Sequence, residues 1–92
     1  MKLAVEFLGP SRRLAQVRET SVAVAVDATY RDVLRLIATL YPPLVDAIIV
    51  PPTYDLAPAF MLNVDGRRAV NDLDMPAEDG QRLIIMVMEA GG

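Results

Sequence analysis

DGQRLIIMVMEAGG, Asp79 to Gly92, is the stretch on which the fold turns. Asp79-Gly80 is a turn signal, and RLIIMVM over 82–88 reads as a strand. That strand has two apolar faces. Leu83, Ile85 and Val87 make one, and Ile84, Met86 and Met88 make the other. A sheet covered by helix on one side needs a single apolar face, while its other face alternates to polar. What covers the second face therefore decides the architecture. The strand is followed by Glu89, Ala90 and two glycines, which have almost no side chain to pack.

Working outward, residues 2–8, KLAVEFL, put Leu3, Val5 and Phe7 on one side and form a strand. Gly9-Pro10-Ser11 breaks it, and the polar stretch after it reads as a loop with one helical turn. TSVAVAV over 20–26 has valine at every second position and gives a second strand, so the opening is a hairpin with a long loop. Asp27 or Thr29 can cap the segment 29–41, TYRDVLRLIATLY. Its Val33, Leu34, Ile37 and Leu40 recur at helical spacing opposite Arg31, Asp32 and Arg35. Pro42-Pro43 ends this helix, and Pro43 can open a short second one through LVDAIIV. Pro51-Pro52 stops that, and PPTYDLAP is a connection that can be neither helix nor central strand. AFMLNV returns to alternation, with Phe60, Leu62 and Val64 on one side. Asp65-Gly66 is a two-residue hairpin signal, and Arg68–Val70 is a short returning strand.

The order β-β-α-(α)-β-β-β predicts an α+β roll: a mixed sheet of four or five strands, one main helix and a short second one. A last strand beginning just after Asp79-Gly80 is placed centrally, beside the first. The chain divides into a single domain over 1–88 and a tail over 89–92.

Composition narrows the functions. The 92 residues hold 53% hydrophobic side chains, no cysteine and no histidine, with a net charge of -3. No thiol nucleophile, imidazole base or soft metal ligand is present, so no metal site is expected. Ser11 and Ser21 have no histidine to activate them, and the carboxylates sit at surface-like positions. Catalysis by this chain alone is not expected. The charges alternate in sign rather than forming a basic stripe, which argues against nucleic acid. The opening MKLAVEFLG is too short and too interrupted for a signal peptide, and no run approaches the about 20 apolar residues of a membrane span. A cytoplasmic domain is the expectation, in keeping with the lack of cysteine.

One good helix covers one face of the sheet. Branched Leu83, Ile85 and Val87 suit the core, which leaves Ile84, Met86 and Met88 on the open side, with Met61 extending the patch. Methionines suit adaptable binding surfaces. They also fill gaps in cores, and here the gap would lie under the proline-rich loop. The open face leads into the tail, whose four residues reach about 13 Å when extended. Gly91-Gly92 can thread a slot that admits little more than backbone. A docking patch joined to a threading tail describes a protein that delivers its C-terminal carboxylate to another protein's active site. A carboxylate must be activated before it reacts, and ATP-dependent adenylation by a separate enzyme is the common way.

The whole chain resembles the β-grasp sulfur carriers and ubiquitin-like proteins, and among them the small subunit of molybdopterin synthase and the thiamine-pathway carriers. The likeness lies in KLAVEFLGPSRR…SVAVAV, DVLRLIATLYPPLVDAII, LNVDGRRAV, the Asp-Gly before the final strand, and the terminal AGG. It implies that the Gly92 carboxylate is adenylated and turned into a thiocarboxylate, with Gly91 its threading partner. It makes the face with Met61, Ile84, Met86 and Met88 the partner surface. No bound cofactor is implied, since ATP and Mg²⁺ belong to the activating enzyme. The second implied partner is a sulfur-accepting synthase, such as a molybdopterin synthase large subunit. Two other outcomes remain open: a modifier joined to lysines through Gly92, and an interaction domain with an inert tail. Thiamine or cysteine synthesis is the alternative recipient of the sulfur.

Overall fold

The computed structural model describes residues 1–88. Strand β1 spans Lys2–Phe7, helix α1 Pro10–Ala15 and strand β2 Glu19–Ala23. Helix α2 is Tyr30–Leu40 and is followed by a 3-10 turn, Pro42–Leu44. Short strands β3 (Ile49–Val50) and β4 (Asp55–Leu56) come next, then β5 (Phe60–Val64), β6 (Arg68–Ala69) and β7 (Arg82–Val87). Five of the strands form one sheet in the order β2-β1-β7-β5-β6, while β3 and β4 form a separate ribbon. The last strand is thus central. It runs parallel to β1, with Phe7 level with Ile85, and antiparallel to β5, with Met61 level with Met86.

The core follows the alternation. Leu3, Val5 and Phe7 of β1, Leu62 and Val64 of β5, and Leu83 and Ile85 of β7 are all at most 2% exposed. Val33, Leu34 and Ile37 of α2 pack on the same side. The Phe7 and Tyr41 rings meet edge to face, 5.2 Å between centroids, an arrangement favoured by the ring quadrupoles. Thr29 caps α2: its side chain accepts from Asp32 N–H at 3.1 Å, and the Asp32 carboxylate accepts from Thr29 N–H at 2.9 Å. This reciprocal box satisfies two donors the helix start leaves unpaired. Asp65 and Gly66 both have positive φ, 58° and 71°, as the tight β5–β6 turn requires.

Three expectations change in detail. The short second helix is the 3-10 turn Pro42–Leu44. The chain after it leaves helical geometry at Asp46, φ 68°, and Ile49–Val50 pairs as a strand with Asp55–Leu56. Strand β2 ends at Ala23, because its partner runs out: Ala23 pairs with Lys2, and Val24 N–H reaches only the Met1 carbonyl. Val26 is therefore 83% exposed despite fitting the valine pattern. The helical turn after Gly9 is a six-residue helix, α1, seated by Ser11. The buried Ser11 Oγ lies 2.9 Å from the Leu8 carbonyl and 2.8 Å from that of Ile85, donating its single hydrogen to one at a time.

Arg31 clasps two segments that are distant in sequence from its own helix and from each other. From the first turn of α2 it donates to Asp74 Oδ1 (2.8 Å), to Asp55 Oδ1 (2.6 Å) and to the Thr53 carbonyl (2.7 Å). Its hydrogen bonds hold the Asp55 and Asp74 carboxyls below the usual carboxylate range, and the Thr29 backbone N–H does the same for Asp32. A carboxyl depressed in the folded state contributes stability above its unfolded pKa of about 4, and that stability is lost as pH falls through the folded value. Urea unfolding midpoints are expected to decline as pH is lowered from about 4. In the double variant Asp55→Asn/Asp74→Asn the decline should be shallower. An unchanged acid slope would show that the clasp contributes nothing.

Candidate functional site

The open side of the sheet is built by the residues that alternate with the core. On β7 these are Arg82, Ile84 and Met86; on β1, Ala4 and Glu6; on β5, Met61 and Asn63. The register places Ile84 between Glu6 and Asn63, and Met86 directly beside Met61. Ile84 is 9% exposed yet stands outside the core cluster, because neighbouring strands flank it on the open face. Met61 and Met86 are half-buried, and Met88 is 51% exposed just past the strand. Met88 N–H donates to the Ala59 carbonyl at 2.7 Å, which ties the end of the strand to the start of β5. All four expected partner-binding side chains thus lie on β7, on its partner β5, or at the point where β7 ends.

One residue leaves its expected place. Val87 was assigned to the core with Leu83 and Ile85, which are fully buried, but it is 38% exposed. It ends β7 opposite Phe60, beyond the last β1 pair at Ile85, so one flank lacks a neighbour. Gly91 and Gly92 lie outside the described residues.

Three features of the face were not anticipated. Leu8, one step beyond the Phe7–Ile85 pair, is 37% exposed, and its N–H donates to the Ile85 carbonyl at 3.1 Å. Alternation along KLAVEFL already puts it opposite Phe7, and that was the available signal. Arg82 Nη1 bridges Glu19 at 2.6 Å and Glu6 at 3.2 Å, so an ionic cluster flanks the apolar patch. Its members come from three strands, and no local pattern could pair them. Asn63 holds its Oδ1 away from solvent with no donor in reach. Beside Met61 and Met88 an apolar groove of about 300 Å³ runs along Phe60, Ala69 and Leu73.

Among the described residues no group of three His, Cys, Asp or Glu side chains could hold a metal ion. No helix among them is long and apolar enough to cross a membrane. What the face offers is a surface for contact, with charge at one flank.

No family model and no curated protein matches the sequence. Solved structures do match. SAMP1 of Haloferax volcanii superposes with a TM-score of 0.83 at 21% identity, over all of both chains. A putative molybdopterin converting factor subunit 1 from Pyrococcus furiosus gives 0.72 at 21% identity, over 94% of this chain and 95% of that one. One chain of the complex of subunits 1 and 2 of the molybdopterin-converting factor of Helicobacter pylori matches over all of both chains at 18% identity and a TM-score of 0.62. The chain is a β-grasp protein. At these identities the likeness is one of fold, and it includes the mixed five-stranded sheet with one main helix.

The β-grasp sheet separates two adjacent residues of β7 sharply. Ile85→Arg is expected to abolish the folded state, since it buries a charge without a partner. Met86→Arg should stay within about 0.5 kcal/mol of the parent in urea unfolding, as surface changes do. The opposite order of stabilities would mean that the faces are inverted.

Proposed function

We propose that this β-grasp domain is a sulfur carrier, which presents the carboxylate of Gly92 first to an ATP-dependent activating enzyme and then to a sulfur-accepting synthase. The observation that carries this is the Met61–Met86 pair on the open face with Ile84. It is an apolar surface on the strand that leads into Gly91-Gly92. Likeness in fold to a molybdopterin converting factor subunit 1, and to one chain of a complex of subunits 1 and 2, supports a synthase large subunit as the second partner. Molybdopterin synthesis is the pathway this favours, in the cytoplasm.

The chemistry asks little of the carrier. An oxygen of the Gly92 carboxylate attacks the α-phosphorus of ATP on the activating enzyme, with Mg²⁺ there, and pyrophosphate leaves. Sulfide then attacks the acyl carbon, AMP leaves, and a thiocarboxylate remains. The carrier's own parts are the docking face, which orients it, and the glycines, which let the backbone enter a narrow channel. Neither step needs the cysteine or histidine that the chain lacks.

A second reading, a modifier joined to lysines through Gly92, is favoured by the match to a small archaeal modifier protein. The two share activation and part at the acceptor. Incubated with the activating enzyme of its source organism, ATP, Mg²⁺ and sulfide, the protein is expected to gain the mass of one sulfur-for-oxygen exchange. Fragmentation should place the gain on Gly92, and omission of ATP should prevent it. Met86→Arg should weaken binding to the enzyme by about 2 kcal/mol, a loss of roughly thirtyfold in affinity. Activation of a variant with one residue appended after Gly92, at the parent rate and without trimming, would sink the proposal. Abundant lysine conjugates in extract, without sulfur exchange, would favour the modifier.

A further inference from the structure

Because β1 and β7 are parallel and β7 runs only two residues past the last pair, Phe7 with Ile85, the loop after β1 and the exit of β7 share one end of the domain. That end has an unusual composition. From Leu8 to Arg18 the chain carries three arginines, Arg12, Arg13 and Arg18, and no carboxylate, although the whole chain has net charge -3. All three arginines are exposed. Helix α1 is locked against β7 through Ser11 Oγ and the Ile85 carbonyl (2.8 Å), and the Arg18 carbonyl accepts from Phe7 N–H at 2.8 Å. The charges therefore stand on backbone fixed to the tail-bearing strand.

Among the described residues, carboxylates near them are few or already engaged. Glu6 and Glu19 are held by Arg82. Asp46 lies two residues beyond the 3-10 turn Pro42–Leu44, which packs against α1, and among the described residues it bridges no arginine. The opposite end of the sheet mixes signs: Asp65, Glu78 and Asp79 stand there with Lys2, Arg67 and Arg68. Asp65 accepts from Arg82 N–H and Asp79 from Lys2 N–H, where β7 and β1 begin.

The cationic end is also where apolar side chains are bare. Leu8, Val17, Val87 and Met88 are 37%, 38%, 38% and 51% exposed, against only Val26, Leu40 and Met75 elsewhere among the large exposed hydrophobics. Apolar contacts rimmed by charge are the anatomy of a protein interface. A small anion would need converging donors, whereas Arg12 and Arg13 stand side by side on the solvent face of α1.

We infer that the end of the domain where β7 finishes is a docking end for an acidic protein surface, with Arg12, Arg13 and Arg18 as its charges. This rests on the sulfur-carrier reading and gives the partner's chemistry: the activating enzyme carries Asp and Glu around the mouth of the channel that takes the tail. Attraction between the two orients the carrier tail-first before apolar contact forms, a salt-dependent gain in association rate.

Two measurements test it. In stopped-flow association with the activating enzyme, Arg12→Glu/Arg13→Glu is expected to lower the association rate about tenfold and to flatten its salt dependence. Arg12→Gln/Arg13→Gln should fall between that variant and the parent. The control Arg67→Glu/Arg68→Glu, at the opposite end, should change the rate less than about twofold. Equal slowing at both ends, or none at either, while the thiocarboxylate still forms, overturns the inference and leaves the carrier reading standing. In the second measurement, poly-L-glutamate is titrated into the labelled protein at low salt. Amide shifts confined to residues 8–18 and 86–88 support the docking end, and shifts centred on 65–68, or none, overturn it. If no thiocarboxylate forms under any condition, the carrier reading falls, and the poly-L-glutamate result alone decides whether the acidic-surface site stands.

Discussion

The parallel pairing of β1 with β7 is the constraint on which the rest of the structure depends. Parallel neighbours cannot be joined by a hairpin, so the chain between them must cross over the sheet and return. That crossing carries α2 over one face and closes the core formed by Leu3, Val5, Phe7, Leu83 and Ile85. The same pairing brings the two strand ends together. The first loop of the chain, with α1 and its arginines, is thereby set beside β7, and Ser11 and Leu8 both reach the Ile85 carbonyl. Local segments at opposite ends of the sequence become one surface only through this pair.

A sheet with one long helix has a face left over. Here its centre is apolar while its margins are guarded. At one margin Arg82, Glu6 and Glu19 form an ionic cluster across β7, β1 and β2. At the other margin β6 has only two residues, Arg68 and Ala69, both exposed. Short, charged edge strands discourage pairing with a further strand. The opening is thus narrow and lies over β7 and β5, the strands nearest the point where residue 88 leaves.

Much of this was legible in the sequence because it depends on period and on local stops. Alternation over 2–7, 60–64 and 82–87 marked the strands and their buried sides, and the Thr29–Asp32 box and Pro42 bounded α2. The double apolar face of β7 foretold the open side, since no second long helix was available to cover it. What escaped depends on contacts distant in sequence. Val26 fits a strand pattern, but its partner strand had ended. Val87 fits the core pattern, but it extends past the last β1 pair. The 3-10 turn replaced a short helix because Ile49–Val50 found a strand partner in Asp55–Leu56. Arg31 and Arg82 looked like ordinary surface charges, and only the fold gathers two carboxylates round each. The two glycines proposed to carry the chemistry rest on sequence alone, and that part of the site is read from what a bare backbone allows.

Asn63 exposes a tension between stability and use on the open face. It sits level with Ile84, on the same side of the sheet as Met61 and Met86, where a branched apolar residue has the higher strand preference. Its Oδ1 has no hydrogen-bond partner among the described residues, and a buried oxygen left without a donor costs about 1–3 kcal/mol. An apolar residue there would need no donor and would widen the patch that Met61, Met86 and Ile84 already form. Continuous exposed apolar patches associate with whatever presents a similar surface, including a second copy of the same chain. A polar amide at one corner of the patch, level with Ile84, limits how far the apolar area extends. A partner that also supplies acidic groups to Arg12, Arg13 and Arg18 gains an attraction that a second copy, bearing the same arginines, turns into repulsion. On the proposed docking role, the polar members of this face would supply selectivity and the methionines the area.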